Sequence, residues 1–301
     1  MRNLLTAFVI GGLLTSTATA KPREVRSLPP SSAWTLDYAA ENCRMSRQFG
    51  TGNSEVLLVF DQFEPGDSLK VTLAGWTVKP ANTVRPILGK LQFGPGNAES
   101  EIEGVRALAG SKPVFLIKAS QRIAPFSKAE EDAINLAASA GTYYKPPPVG
   151  AARERAASWL AVKDIMKFDL VLETGPMDAP MKALRDCVWD LVGSWGLDVA
   201  EQKGLTREAR PSPSAQSWFQ SKDYPLDMIR SEQEGIVNIR LIVNRQGIPE
   251  SCHVQVSTRP KEFDDVVCGI MMRKARFDPA LDAKGQPVRS YYQSTVVFEL
   301  R

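Results

Sequence analysis

Histidine is nearly missing from this 301-residue chain, in which His253 stands alone. A multi-histidine metal centre is thereby excluded, and as a catalytic base His253 would need a nucleophile and an orienting acid. No serine stands in a Gly-x-Ser-x-Gly elbow. No glycine-rich stretch has phosphate-loop spacing, residues 89–96 (GKLQFGPG) included. None of the four cysteines belongs to a C-x-x-C pair, which removes zinc-ribbon and thioredoxin-type sites. Glu173-Thr174-Gly175 has the wrong acid for an aspartic-protease Asp-Thr-Gly, and there is no second copy. Glu130, Glu131 and Asp132 crowd a helix start, where the macrodipole accounts for them. A surplus of one charge is lacking too. Lys+Arg 37 against Asp+Glu 34 gives +3, too little for a nucleic-acid footprint. The composition, 43% hydrophobic and 24% charged, is that of ordinary globular domains. These absences point to a soluble, two-domain protein without catalytic residues, cofactor or metal.

What is present begins with a leader. Arg2 supplies a positive start, residues 4–14 (LLTAFVIGGLL) an apolar stretch, and Ala18-Thr19-Ala20 a small-x-small cleavage site before Lys21. A spanning helix needs about 20 apolar residues, and this run of eleven gives way to Thr15, Ser16 and Thr17. The pattern predicts a signal peptide over residues 1–20 and export to a Gram-negative-type periplasm. The alternative is an uncut inner-membrane anchor, the one circumstance in which the chain would touch a membrane. An even set of cysteines in an exported protein reads as disulfides, and four allow three connectivities. Residues 201–218, with Arg210-Pro211-Ser212-Pro213-Ser214, lose all apolar periodicity and read as a linker. A domain of residues 33–200 therefore follows a short linker, 21–32, and precedes a domain of residues 219–301. Two cysteines fall in each half, which favours Cys43–Cys187 and Cys252–Cys268.

The first domain offers strand-like runs at 55–60, 69–73, 84–93, 114–118 and 168–173. Ser127-Lys128-Ala129-Glu130 is a capping box and predicts a helix up to Gly141. Met181, Leu184, Val188, Leu191, Val192 and Trp195 recur at helical spacing, with Gly196 as the stop. In the second domain, residues 236–243 (IVNIRLIV) alternate as a strand, Asn244 to Gly247 form a turn, and 253–256 a second strand. Lys261–Lys274 reads as a helix and 291–300 as a last strand. The whole is α+β, and the second domain is a β-β-α-β unit with one helix over a small antiparallel sheet.

That second domain resembles the C-terminal domain of the TonB energy-transducer family over residues 224–300. Tyr224-Pro225 precedes Glu234-Gly235 at the first strand, Gly247 holds the hairpin turn, and Phe263-Asp264 lies in the helix. Met271-Met272-Arg273-Lys274 ends the helix before Ala275-Arg276-Phe277-Asp278-Pro279. The resemblance implies an exported module that binds envelope proteins, its partner a receptor segment added as a strand to the last one. Asp223, Tyr224 and Pro225 would lie nearby, and Tyr291, Gln293, Thr295, Val297 and Glu299 would form the docking strand's outer side. The sequence departs from the family in having no full-length anchor, no long Pro-rich linker, a globular domain in their place, and Asp223 where the family has Gln. The expected function is non-enzymatic partner binding in the envelope. The alternatives are a membrane-anchored energy transducer, if the leader is uncut, and, more remotely, a periplasmic hydrolase in residues 33–200. Residues 168–198 look like a domain found upstream of TonB-like modules, for which the resemblance supplies no activity.

Overall fold

The computed structural model describes residues 23–82, 86–140, 144, 146–212, 217–258 and 260–300; the predicted leader lies outside them. The first part of the chain builds a ten-stranded sheet. Its strands are β1 (Val25–Leu28), β2 (Thr35–Tyr38), β3 (Cys43–Phe49), β4 (Val56–Gln62), β5 (Lys70–Ala74), β6 (Ile87–Phe93), β7 (Ser100–Ala109) and β8 (Lys112–Ile117). After helices α1 (Lys128–Ser139) and α2 (Ala151–Ala156) come β9 (Leu160–Lys163), β10 (Asp169–Leu172) and helix α3 (Asp178–Ser194). The order is β1-β10-β9-β6-β7-β8-β5-β4-β3-β2, antiparallel except for the parallel pair β1–β10. The chain between β1 and β2 bonds across to β3: Ser31 N–H reaches the Gln48 carbonyl at 2.9 Å and Gly50 N–H the Pro29 carbonyl at 2.8 Å. One continuous segment thus joins both ends of the sheet, which wraps round its own core.

Alternation puts Met45, Leu58, Phe60, Val71, Leu73, Leu91, Phe93 and Phe115 inside. Two glycines serve that interior. A Cβ on Gly104 would stand 2.2 Å from the Phe115 ring, and one on Gly89 would stand 2.3 Å from Ile165. Helix α3 lays Met181, Leu184, Cys187, Val188 and Leu191 on this core and packs over β2 and β3. Cys187 is bonded to Cys43 at the start of β3. The capping box of α1 forms as expected, Ser127 accepting from Glu130 N–H and Glu130 from Ser127 N–H, yet none of its residues is buried.

After α4 (Val199–Lys203) comes β11 (Arg210–Pro211). Next are α5 (Leu226–Arg230), β12 (Gly235–Val243), β13 (Pro249–Ser257), α6 (Lys261–Lys274), the short strands β14 (Phe277–Asp278), β15 (Ala280–Leu281) and β16 (Pro287–Val288), and finally β17 (Ser290–Phe298). Three strands form a sheet in the order β13-β12-β17, covered on one face by α6. Val237, Ile239, Leu241 and Val243 meet Phe263, Val267, Ile270 and Met271 there, and Cys252 of β13 is bonded to Cys268 of α6. Gly247 has φ +75° in the β12–β13 turn, and a Cβ there would strike the Phe277 carbonyl at 1.9 Å; only glycine fits. The stretch 201–218 is anchored where described. Arg210–Pro211 pairs with β14, and Arg207 bridges to Leu281. Single bridges of this kind need no apolar periodicity, which is why the pattern there reads as a bare connector.

The sheet face opposite α6 rests on the first part of the chain. Ile242 packs with Val192, Leu197, Trp189, Trp195 and Tyr291. Arg240, only 3% exposed, donates from Nη1 to Glu41 Oε2 at 2.7 Å and lies 4.2 Å from the Trp195 ring centroid. Burial lowers the pKa of its guanidinium, and the Glu41 carboxylate opposes that shift. Gln255 Nε2 donates to the Glu41 carbonyl at 3.0 Å, and Arg289 Nη1 to the Gly196 carbonyl at 2.9 Å.

Candidate partner-binding edge

Strand β17 ends the three-stranded sheet. Thr258 N–H donates to the Ile236 carbonyl on the β13 side of β12, so backbone groups of Val237 and Ile239 point the other way. They face Val296 and Ser294 in an unbroken register from Gly235↔Phe298 to Val243↔Ser290. The N–H and C=O groups of Gln293, Thr295 and Val297 therefore aim outward. The opposite edge differs. Register shifts along β13 leave Gln255 and Glu250 without a partner position in β12, and such bulges blunt an edge against further pairing. One edge of the sheet is a regular template and the other is not.

The structure divides the residues expected to form the docking site. Thr295, Val297 and Glu299 are exposed, Val297 to 50%. Thr295 Oγ1 donates to Asn238 Oδ1 across the strands. Tyr291 and Gln293 are instead held by the first part of the chain. The Tyr291 ring stands edge-on to Trp195 with centroids 5.2 Å apart, and Gln293 Nε2 donates to the Phe63 carbonyl at 2.6 Å. Asp223, Tyr224 and Pro225 brace the fold. The Tyr224 hydroxyl donates to the Gln233 carbonyl at 2.6 Å, and its ring meets Phe263 and Phe298 edge-on at 5.6 and 5.3 Å. Asp223 accepts from Gln220 N–H at 2.8 Å and from Lys274 Nζ at 3.4 Å. These bonds, the backbone one first, hold its carboxyl below the usual range. Pro225 is the N-cap of α5. Tyr224 thus meets β17 at Phe298, the end away from Gln293.

Sequence reasoning missed one feature, a cleft of about 200 Å³ where β17 meets the first part of the chain. Asp61, Glu64 and Lys70 line it from one side, Asn238, Gln255 and Thr295 from the other. Burial, with Glu208 nearby, raises the Glu64 carboxyl to about 7. Burial alone lowers Lys70. Phe63-Glu64-Pro65-Gly66-Asp67 carries a turn signature, but nothing local says that this turn meets another part of the chain. At the end of α6, Lys274 Nζ donates to the Trp218 carbonyl at 3.0 Å and Arg276 Nη1 to the Ala275 carbonyl at 2.6 Å. His253 is exposed on β13. Among the described residues no group of His, Cys, Asp or Glu could hold a metal ion, and no helix is long and apolar enough to cross a membrane.

No curated protein matches the chain at a significant level. Residues 220–300 match the family model of the Gram-negative bacterial TonB protein C-terminal, the span that holds the β13-β12-β17 sheet, its covering helix and the aromatic brace at Tyr224. With sequence pattern, topology and family model in agreement, this part of the chain is a C-terminal domain of the TonB family.

Proposed function

We propose that the chain is an exported, non-enzymatic protein of the bacterial envelope that binds a partner by taking up an extended segment alongside β17. The observation that carries this reading is the asymmetry of the sheet: β17 is regular and exposes Thr295, Val297 and Glu299, while β13 is bulged. Backbone pairing along such an edge supplies affinity, and alternate side chains supply selection. The TonB family works in envelope transport with receptors as partners, and the leader and paired cysteines fit an oxidising compartment.

The test is a proline scan of the outward positions. Val297→Pro removes one outward N–H from the ladder and leaves the core-facing Val296 and Phe298 in place. After circular dichroism confirms the fold, partner capture should fall at least to the level of an unrelated control protein. Undiminished capture by folded Val297→Pro would exclude β17 as the docking edge.

A further inference from the structure

The cleft beside β17 holds a carboxylate whose charge no cation among the described residues balances. Glu64 is half-buried, and no cation among the described residues lies within ion-pair distance of it. The other charged groups of the cleft are engaged elsewhere. Asp61 accepts from Arg44 Nε at 2.7 Å and Asn42 Nδ2 at 2.7 Å, and Lys70 Nζ donates to the Lys118 carbonyl at 3.2 Å. Burying a carboxylate without a counter-ion is costly, and a cation supplied from outside would remove that cost. Gln255, Gln293, Asn238 and Thr295 offer amide and hydroxyl oxygens on the opposite wall. The volume, about 200 Å³, accommodates one guanidinium or ammonium group on an alkyl stem.

We propose that this cleft receives one guanidinium or ammonium group, carried by an Arg or Lys side chain of the segment that adds to β17. The source of the group rests on the strand-addition reading, whereas the chemistry rests on the cleft. The first part of the chain, through its β4–β5 turn, then acts as a selectivity wall for a TonB-family edge. Groups facing Glu64 are Glu208 from the 205–212 stretch, Tyr292 from β17, and Asp61 with its Arg44, and Lys70, from β4 and β5. Since Glu64 titrates near 7, its ionised fraction rises about tenfold from pH 6 to pH 8, and cation uptake should rise with it.

The experiment uses the full chain and two kinds of probe. n-Butylguanidinium and its neutral counterpart n-butylurea are titrated while the side-chain amide resonances of Asn238, Gln255 and Gln293 are followed by NMR. Affinities are then compared for a blocked, extended heptapeptide carrying one Arg and for the same peptide with citrulline. The guanidinium should shift the three amides, more at pH 8 than at pH 6, and the urea should not. The Arg peptide should bind about tenfold tighter, the size of a charge-assisted contact. Glu64→Gln should erase that preference, Glu64→Asp should keep part of it, and Val297→Pro should weaken both peptides alike. Equal affinity of the two peptides for the wild-type protein overturns the proposal and leaves strand addition standing. If neither peptide binds while n-butylguanidinium still shifts the amides, strand addition fails and the cleft is a site for a free amine. Absence of any guanidinium shift overturns the cleft chemistry itself.

Discussion

Replacing Arg240 by Met tests how the TonB-family domain is held against the rest of the chain. The guanidinium is buried, paired with Glu41 at 2.7 Å and laid on Trp195 at 4.2 Å. Removing one partner of a fully buried ion pair costs about 3–5 kcal/mol, chiefly because the other charge stays unpaired. Glu41 keeps 29% of its side-chain surface exposed and can be rehydrated, so the lower end applies. Loss of the cation–π contact adds about 1 kcal/mol, whereas Met retains most of the packing of the stem. The buried Nε of Arg240 has no hydrogen-bond partner, and its removal recovers some desolvation cost. The expected net loss is about 2–3 kcal/mol. Arg240→Met/Glu41→Gln should regain about 1–2 kcal/mol of it, since no buried charge is then left uncompensated. Urea unfolding followed by tryptophan fluorescence reads this directly, because Trp195 lies under the guanidinium. An unchanged midpoint in the single variant, or a coupling in the double-mutant cycle below about 0.5 kcal/mol, would refute the reasoning.

Peptide mapping of the oxidised protein should yield Cys43–Cys187 and Cys252–Cys268 cross-links and no mixed pair; reducing the latter should cost the second domain about 3 kcal/mol on the chain-entropy estimate for so short a loop. Glu64 is an acid with a folded-state pKa raised to about 7, so its contribution is most favourable below the unfolded-state value and is lost as pH rises towards 7. Denaturation midpoints should fall between pH 5 and 7.5, and Glu64→Gln should flatten that slope; identical slopes would mean that Glu64 is not desolvated. Edman sequencing of the protein recovered from the envelope should start at Lys21, and a start at Met1 would revive the anchored alternative.

Much of the TonB-family domain was legible because its signals are local. Val237, Ile239, Leu241 and Val243 fall on one face of a strand, Gly247 marks a turn that only glycine can make, and the stripe of α6 gives Lys261–Lys274 at both ends. Helices α1 and α3 were legible for the same reason, through a capping box and a 3.6-residue stripe. Strand β7 was not. Glu101 and Glu103 keep the outward parity, but the positions that follow Ile102 on its side of the strand are Gly104 and then Arg106, the glycine facing inward to make room for Phe115. Closure of the large sheet depends on Val25 meeting Asp169, a pairing that no window of sequence contains. The edge was half legible. Parity gave the outward positions of β17, but only the folded chain shows Gln293 and Tyr291 taken by the first part and Glu64 brought beside them.

Closure of the large sheet also sets an order of events for a chain that emerges from its N-terminal end. Residues 25–28 cannot find their neighbours until β10 has emerged, well over a hundred residues later. Until then β1 has no strand partner and β6 waits for β9, the state in which strands pair wrongly or with another chain. Non-local pairing of this kind is slow. The cysteines suit such a delay. Cys43 waits for Cys187, and Cys252 is followed sixteen residues later by Cys268, so each bond joins neighbours in the sequence of thiols. An oxidant that couples thiols in their order of arrival produces both native bonds with no reshuffling. An oxidising compartment with an oxidase but little isomerase activity would therefore suffice to mature this protein.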